Sequence, residues 1–148
     1  MVSVPVSVIL ERKGGDVVTT SAHATLLDVT HALQEHNIGA LVVSSPDRPV
    51  EGVISERDVV RILARLGSQA LECLVSDAMT EEVATCGLQT TADELMALMT
   101  QRRIRHVPVV DEGRLVGIVS IGDVVKTRHE ELELQARSLE EYVTGSHI

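Results

Sequence analysis

The chain has 148 residues, of which 44% are hydrophobic, 24% charged and 1% aromatic. Its 22 acidic and 13 basic residues give a formal net charge of −9, which opposes binding to DNA or RNA, and Tyr142 is the single aromatic side chain that could stack on a base. The sequence shows no long apolar run and no signal-peptide pattern, so we expect one compact unit in the cytoplasm that binds neither nucleic acid nor membrane.

The N-terminal segment, residues 1–15, precedes the first recognisable repeat. Its apolar residues Val6, Val8 and Leu10 fit either a helix or a strand packed beside the C-terminal helix, and the pattern does not decide between them. Lys13 is followed by two glycines, so its ammonium group lies on a flexible segment. It could close over a phosphate or simply face the solvent, and both interpretations stay open.

A nine-residue segment occurs twice in the chain. Residues 52–60 (GVISERDVV) return 65 positions later as residues 117–125 (GIVSIGDVV), with Gly, Ser, Asp and β-branched residues at matching places. Allowing for one loop residue, the similarity extends upstream at an offset of 66 to two more pairs of segments: 17–20 with 83–86, and 38–43 with 104–109. Two copies of one supersecondary unit therefore make up most of the chain, and a cleft between them is a natural place for a small ligand.

Each copy is predicted to run strand, helix, strand, turn, strand, helix. In the first helix of copy one, Leu26, Val29 and Leu33 follow helical spacing, which Ala40 also fits. Residues 95–99 supply an apolar side in copy two, and the hairpin turns fall at residues 44–49 and 111–114.

The predicted fold class is α+β, with two pseudo-symmetric β-α-β-β-α repeats at residues 16–66 and 75–127. A C-terminal helix and tail follow at residues 128–148. The apolar stripe formed by Leu132, Ala136, Leu139 and Val143 must pack on the second repeat or on another chain. We favour contact in a homodimer.

Catalytic and metal-binding motifs are not evident. Cys73 and Cys86 are far apart in sequence and are expected to be reduced core residues. His31 and His36 are five residues apart, which does not suit two ligands on one helical face, and phosphate-binding loops of the Walker or GxGxxG type are missing. We therefore predict a protein that is not an enzyme and holds no metal.

The two Gly-h-h-Ser-x-x-Asp-h-h segments, the IRHVPVVD stretch at residues 104–111 and the Met79-Thr80 pair before copy two resemble a tandem pair of CBS domains, named after cystathionine β-synthase. The resemblance covers residues 6–127. It implies a ligand-sensing module that binds an adenine nucleotide between its repeats: AMP first, then NAD(H), ATP or ADP. It also implies a disc-shaped homodimer and an unidentified protein effector.

The Ser and Asp residues of the two repeats suit a ribose phosphate. Ser55 and Ser120 are good helix N-caps, with Asp58 and Asp123 one turn later, so each pair offers a carboxylate for ribose hydroxyls beside free N–H groups for phosphate. We call these pairs, with their surroundings, the first and the second half-site. Helix capping alone explains either pair equally well, and Arg57, next to Asp58, either contacts the ligand or forms an ion pair.

The resemblance places the ligand's phosphate near the residues that precede the Pro-Val pair of the central strand. Ile104, Arg105 and His106 match those positions, and Ala40 is the counterpart of His106 in the first repeat. Because Arg105 and His106 have no basic counterparts, we expect the second half-site to hold a phosphorylated ligand more tightly. Arg102 and Arg103 are instead assigned to a solvated helix end.

The resemblance also assigns the first strand of each repeat to the base pocket. Thr19 and Thr20 are the residues concerned in copy one, with Thr85 and Cys86 as counterparts. Two alternatives remain open. The chain could be a ligand-free scaffold in which the Ser and Asp residues only cap helices, or a sensor of a metal or of S-adenosylmethionine.

Overall fold

The computed structural model describes residues 3–144; residues 1–2 of the predicted lead-in and 145–148 of the predicted tail lie outside the described part. The helices and strands follow the predicted order except at the first strand of the second repeat, and the α+β class and the two repeats are confirmed. The elements are α1 (Val6–Lys13), β1 (Thr19–Thr20), α2 (Leu26–His36), β2 (Ala40–Val43), β3 (Gly52–Ser55), α3 (Glu56–Leu66), a 3₁₀ helix (Gly67–Glu72), α4 (Val75–Ala78), α5 (Ala92–Arg102), β4 (His106–Asp111), β5 (Arg114–Ser120) and α6 (Ile121–Thr144).

The strands form one small sheet in each repeat. In the first, β1 pairs parallel with β2, and β2 pairs antiparallel with β3. In the second, β4 and β5 form an antiparallel pair, and the strand expected at residues 83–86 shrinks to a single bridge between Cys86 and Val109. Only the Cys86 backbone makes the pairing hydrogen bonds there, with Pro108 and Val110, while the two residues at the start of that segment line a cavity described below.

The predicted helical stripe of α2 is confirmed except at its end. Leu26, Val29 and Leu33 are buried in the core of the first repeat. Asn37 then adopts a left-handed conformation with φ of 52° and caps the helix. Ala40 therefore does not continue the helix but opens β2, since the chain has already reversed direction.

The segments that precede the repeats are exchanged between them. The lead-in is helix α1, and its Val6, Ile9 and Leu10 belong to the hydrophobic core of the second repeat. Val75, at the very start of the second repeat, belongs to the core of the first. A Cβ atom on Gly117 would lie 2.6 Å from Leu10 Cδ2, so glycine is needed there for α1 to dock on β5. Each repeat is thus completed by the segment that leads into the other.

Helix α6 combines the last helix of the second repeat with the predicted C-terminal helix. Val124 and Thr127 are buried against the repeat, but farther along Leu132, Leu139 and Val143 are 52%, 61% and 73% exposed. The apolar stripe is therefore not covered by the described part of the chain. Within residues 3–144, no helix has the length and apolar character that crossing a bilayer requires.

Candidate functional site

The first half-site is built where β3 runs into α3. Ser55 is the N-cap, and its Oγ accepts a hydrogen bond from the Asp58 backbone N–H at 3.3 Å. Asp58 Oδ2 in turn accepts from the Ser55 backbone N–H at 2.9 Å and from Ser55 Oγ at 3.0 Å. Asp58 is buried, and its other oxygen, Oδ1, lies 3.7 Å from Arg61 Nη1. This second oxygen is free to accept hydrogen bonds from a ligand.

The second half-site repeats this geometry where β5 runs into α6. The Ser120 backbone N–H donates to Asp123 Oδ2 at 2.8 Å, and the Asp123 N–H donates to Ser120 Oγ at 3.2 Å. Lys13 makes the difference between the two. Its Nζ donates to Asp123 Oδ2 at 2.7 Å and to the Ile118 carbonyl at 2.8 Å. The structure places Lys13 in an ion pair inside the second half-site, so it is not a free surface lysine.

A cavity of about 250 Å³ lies between the two repeats and contains the first half-site. Residues of β3 and the start of α3 form one side, and residues around the start of β4 form the other. It is lined by Gly39, Val53, Ser55, Glu56, Arg57, Asp58, Arg61, Thr80, Glu82, Val83, Ala84, Arg103, Ile104, Arg105 and His106. The cavity therefore brings together the Asp58 carboxylate, which could accept ribose hydroxyls, the N-terminus of α3, and a basic wall formed by Arg105 and His106.

The cavity is lined by four arginines against three carboxylates, Glu56, Asp58 and Glu82, although the chain as a whole is acidic. Arg57, Arg61, Arg103 and Arg105 all line it. Arg103 lies at an exposed helix end, as predicted: it adopts a left-handed conformation with φ of 55° and ends α5, and it also lines the cavity. A site that concentrates guanidinium groups in an anionic protein suits an anionic ligand.

His106 sits between the two half-sites. Its backbone pairs with Ser120, yet its Nε2 would lie 3.2 Å from a Cβ atom placed on Gly39, so its ring faces the first repeat. Burial lowers the pKa of His106; Lys13 and Arg105 lower it further, whereas Glu56 and Asp123 oppose the shift. The surroundings of His106 therefore favour the neutral imidazole.

The expectation that Arg105 and His106 serve the second half-site is not what the structure shows. Both line the cavity that contains Ser55 and Asp58, and neither Ser120 nor Asp123 lines it. The reason is the packing of the two repeats: β4 belongs to the second repeat, but its N-terminal end faces α3 of the first across the cavity. The basic residues of one repeat are thus presented to the carboxylate of the other.

The predicted site residues fall into two groups. Six of them line the cavity and six do not. Those that line it are Ser55, Arg57, Asp58, Ile104, Arg105 and His106; those that do not are Lys13, Thr19, Thr20, Ala40, Ser120 and Asp123. Thr19 and Thr20 form β1, and their repeat partners Thr85 and Cys86 do not line the cavity either.

Sequence reasoning missed several lining residues. Val83 and Ala84 lie in the segment that repeats residues 17–20, so the duplication pointed to that segment but not to the right residues within it. Glu56, Arg61 and Glu82 gave no such signal, since charged residues on helices and turns usually face water. Among residues 3–144 there is no group of three His, Cys, Asp or Glu side chains that could hold a metal ion.

Comparison with known proteins matches the two repeats to one family. The CBS domain model matches residues 10–65 and 75–130. The chain is 34% identical to the CBS domain-containing protein CBSX3, mitochondrial, of Arabidopsis thaliana, over 98% of this chain and 74% of that protein. It is similar to the crystal structure of the CBS-domain containing protein ATU1752 from Agrobacterium tumefaciens, with a TM-score of 0.82, 46% identity and coverage of 85% of this chain and 94% of that one.

A further similar structure carries ligands. The CBS domain pair of protein MJ0100 was crystallised in complex with 5′-methylthioadenosine and S-adenosyl-L-methionine. It has a TM-score of 0.73 and 26% identity to this chain, with 82% of this chain and 97% of that one covered. The duplicated sequence, the paired half-sites and these matches lead to one conclusion: the chain belongs to the CBS domain family and carries two CBS domains in tandem.

Proposed function

We propose that this chain is a regulatory module, not an enzyme, that binds an adenine nucleotide in the cavity between its two CBS domains. The observation that carries the proposal is the arrangement of the cavity: the carboxylate of Asp58 at one side and the basic residues Arg105 and His106 at the other. The adenosine ligands bound by the MJ0100 pair support the same ligand class.

Each part of the nucleotide has a matching part of the cavity. Asp58 Oδ1 accepts the ribose hydroxyls, because Oδ2 is already engaged by Ser55. The phosphate lies near Arg105, His106 and the N-terminus of α3, where N–H groups and positive charge are available. The base packs on aliphatic side chains at the remaining wall, where Ala84 is one of the lining residues. AMP is the ligand that we propose first, with NAD(H), ATP and ADP next.

The ligand acts by favouring one relative setting of the two domains, which a partner protein then reads. This follows from the position of the cavity, whose lining residues come from both repeats. A ligand in contact with both domains has differential affinity for their arrangements, and that difference is what a regulatory module requires.

A second copy of the chain is the partner we propose for the exposed apolar side chains of the long helix. Val60 on α3 and Val125 on α6 occupy matching positions in the repeats, and both are exposed. Leu132 and Leu139 continue this apolar surface along α6. A pseudo-symmetric apolar surface is suited to self-association about a twofold axis. A Leu132→Glu, Leu139→Glu variant that stays dimeric by light scattering would contradict this.

The nucleotide proposal is tested by isothermal titration of the purified chain with AMP, ADP, ATP, NAD⁺, NADH and S-adenosylmethionine, and with adenosine for comparison. Arg105→Met should weaken AMP binding by about 10- to 150-fold, the loss of one charge-assisted hydrogen bond, and leave adenosine binding nearly unchanged. Arg102→Met is the matched control, because Arg102 is exposed on the neighbouring turn and does not line the cavity.

Binding of none of these ligands to folded protein would support the ligand-free scaffold instead. If Arg105→Met and Arg102→Met weakened AMP binding equally, the loss of affinity would follow from the overall charge of the chain. The phosphate would then not lie near Arg105.

A further inference from the structure

Glu56 brings a negative charge to the part of the cavity that holds Arg105 and His106. It is the first residue of α3 and lines the cavity with them. Its Oε1 would lie 2.7 Å from a Cβ atom placed on Gly39, and His106 Nε2 would lie 3.2 Å from the same atom, so the carboxylate and the imidazole meet at Gly39. Among residues 3–144, no ion pair or hydrogen bond of the Glu56 side chain neutralises this charge.

The fold does not require a carboxylate at this position. The Glu56 backbone N–H donates to the Gly39 carbonyl oxygen at 2.9 Å, and in the second repeat the Ile121 N–H donates to the Arg105 carbonyl oxygen at 2.8 Å. The same backbone contact thus forms with an isoleucine in place of the glutamate. The structural role that remains for the carboxylate is a favourable interaction with the dipole of α3.

A second recess adjoins the cavity at Glu56. This recess is a groove of about 410 Å³ between α2 and α3, here called the α2–α3 groove, and it shares Gly39 and Glu56 with the cavity. Its other lining residues are neutral: Thr30, Leu33, Gln34, Asn37, Ile38, Val59 and Val60. A phosphate chain that ran past His106 in this direction would meet a carboxylate and then neutral side chains, so none of these lining residues would compensate its charge.

The charge of Glu56 is felt at His106. Burial lowers the pKa of the imidazole, and among the charged groups that act on it the Glu56 carboxylate has the largest effect, which raises the pKa. A phosphate beside His106 therefore lies within the field of this carboxylate, and every further phosphate group adds negative charge there. Because Glu56 is exposed, solvent and salt moderate the repulsion without removing it.

We propose that Glu56 sets the number of phosphate groups that the cavity accepts, so that the site prefers adenosine monophosphate to the di- and triphosphate. This inference rests on the proposed function, because it takes the phosphate to lie beside Arg105 and His106. These basic residues hold the first phosphate, whereas each further one adds charge that Glu56 repels. Glu56 thus selects by disfavouring the more highly charged competitors.

Isothermal titration of the full chain with adenosine, AMP, ADP and ATP tests this, in EDTA so that divalent cations do not neutralise the phosphates. The wild type should bind AMP more tightly than ATP. Glu56→Gln should narrow the ratio of the two Kd values by about 3- to 10-fold and leave adenosine binding nearly unchanged, since the repulsion acts on charge. Raising NaCl to about 0.5 M should shrink this narrowing.

Glu35→Gln is the matched control. It removes one negative charge from the last turn of α2, where Glu35 is exposed and lines neither the cavity nor the α2–α3 groove. It should therefore keep the wild-type ratio. Should circular dichroism show Glu56→Gln to be unfolded, Glu56→Ile takes its place, since the second repeat carries an isoleucine at this position.

Each outcome bears on the inference. A folded Glu56→Gln variant with the wild-type ratio would overturn it and leave the proposed function intact, because Glu56 would then serve only the helix dipole. A wild-type chain that binds ATP at least as tightly as AMP would also overturn it, as would equal narrowing in Glu35→Gln, which would assign the effect to overall charge. No binding of any of these ligands to wild type and variants alike would overturn the proposed function and this inference with it.

Discussion

Removal of the Asp58 carboxylate separates ligand binding from helix capping, because the chain contains the same capping motif away from the cavity. Thr25 and Asp28 form a capping box at the start of α2, as Ser55 and Asp58 do at the start of α3. Only Ser55 and Asp58 line the cavity. Asp58→Ala should cost about 1 kcal/mol in the free energy of unfolding through the lost cap, and Asp28→Ala should lower the stability in the same direction.

The effect of AMP on the two variants should differ sharply. At a concentration of 100 times the Kd, the ligand stabilises the native state by about 2.7 kcal/mol, which corresponds to a rise in Tm of about 5–10 °C for a chain of this size. Asp58→Ala removes an ionised acceptor of two ribose hydroxyls, a loss of about 3–6 kcal/mol and thus of more than 100-fold in affinity. At the same AMP concentration, its Tm should then rise by less than about 1.5 °C.

Differential scanning fluorimetry with and without AMP measures this directly. Asp28→Ala should begin at a lower Tm than the wild type yet keep the full rise with AMP. The reasoning is refuted if Asp58→Ala keeps the rise as well, because the carboxylate would then serve only as a cap, or if Asp28→Ala loses it, because the effect would then follow stability in general.

Three further predictions concern titratable groups. The pKa of His106 is lowered in the free protein, and a phosphate beside the ring favours the imidazolium, so AMP binding takes up a proton and should tighten as the pH falls from about 8 to about 6.5. Titration calorimetry should show no such tightening for adenosine or for AMP binding to the His106→Gln variant. The same pH dependence in all three titrations would contradict the assignment of the phosphate to His106. For Asp123, burial raises the pKa, but Lys13 and the Ser120 N–H lower it more. The ionised carboxylate therefore stabilises the fold at pH values above the pKa that Asp123 has in the unfolded chain. This stabilisation is lost as the pH falls through the pKa of Asp123 in the folded chain. The midpoint of urea unfolding should therefore fall less between about pH 5 and pH 3 for Lys13→Met than for the wild type. If the midpoints of both proteins fell equally with pH, the ion pair would not be coupled to folding. Burial raises the pKa of Cys86 to about 11, so a disulfide reagent at about pH 8 should label Cys73 in the native chain and reach Cys86 only after denaturation. Rapid labelling of both thiols in the native chain would contradict the burial of Cys86.

The features that sequence reasoning found depend on local spacing. Ser55 and Asp58 are three residues apart at a strand-to-helix junction, and both helix capping and a ribose site require that spacing, so the motif was visible without coordinates. The same holds for the core stripe of α2, where Leu26 and Leu33 repeat at helical intervals. The duplication made each signal stronger by showing it twice.

The features that were missed depend on contacts between distant segments. Nothing near residues 1–15 indicates that α1 completes the second repeat, because that requires Leu10 to meet Gly117, over a hundred residues away. Arg103 is an exposed basic residue at the end of α5, and its place at the cavity depends on how the two repeats pack, which the local sequence does not show. The assignment of Arg105 and His106 to the second half-site failed for the same reason, since a linear repeat does not show which wall faces which carboxylate.

The central claim is that an adenine nucleotide lies between the two CBS domains at Asp58, and a crystal structure of the chain grown with AMP tests it most directly. The account predicts electron density for AMP at this place, with its ribose hydroxyls on Asp58 Oδ1 and its phosphate near Arg105 and His106. AMP seated at Asp123 with the Asp58 cavity empty, or bound outside both half-sites, would contradict it.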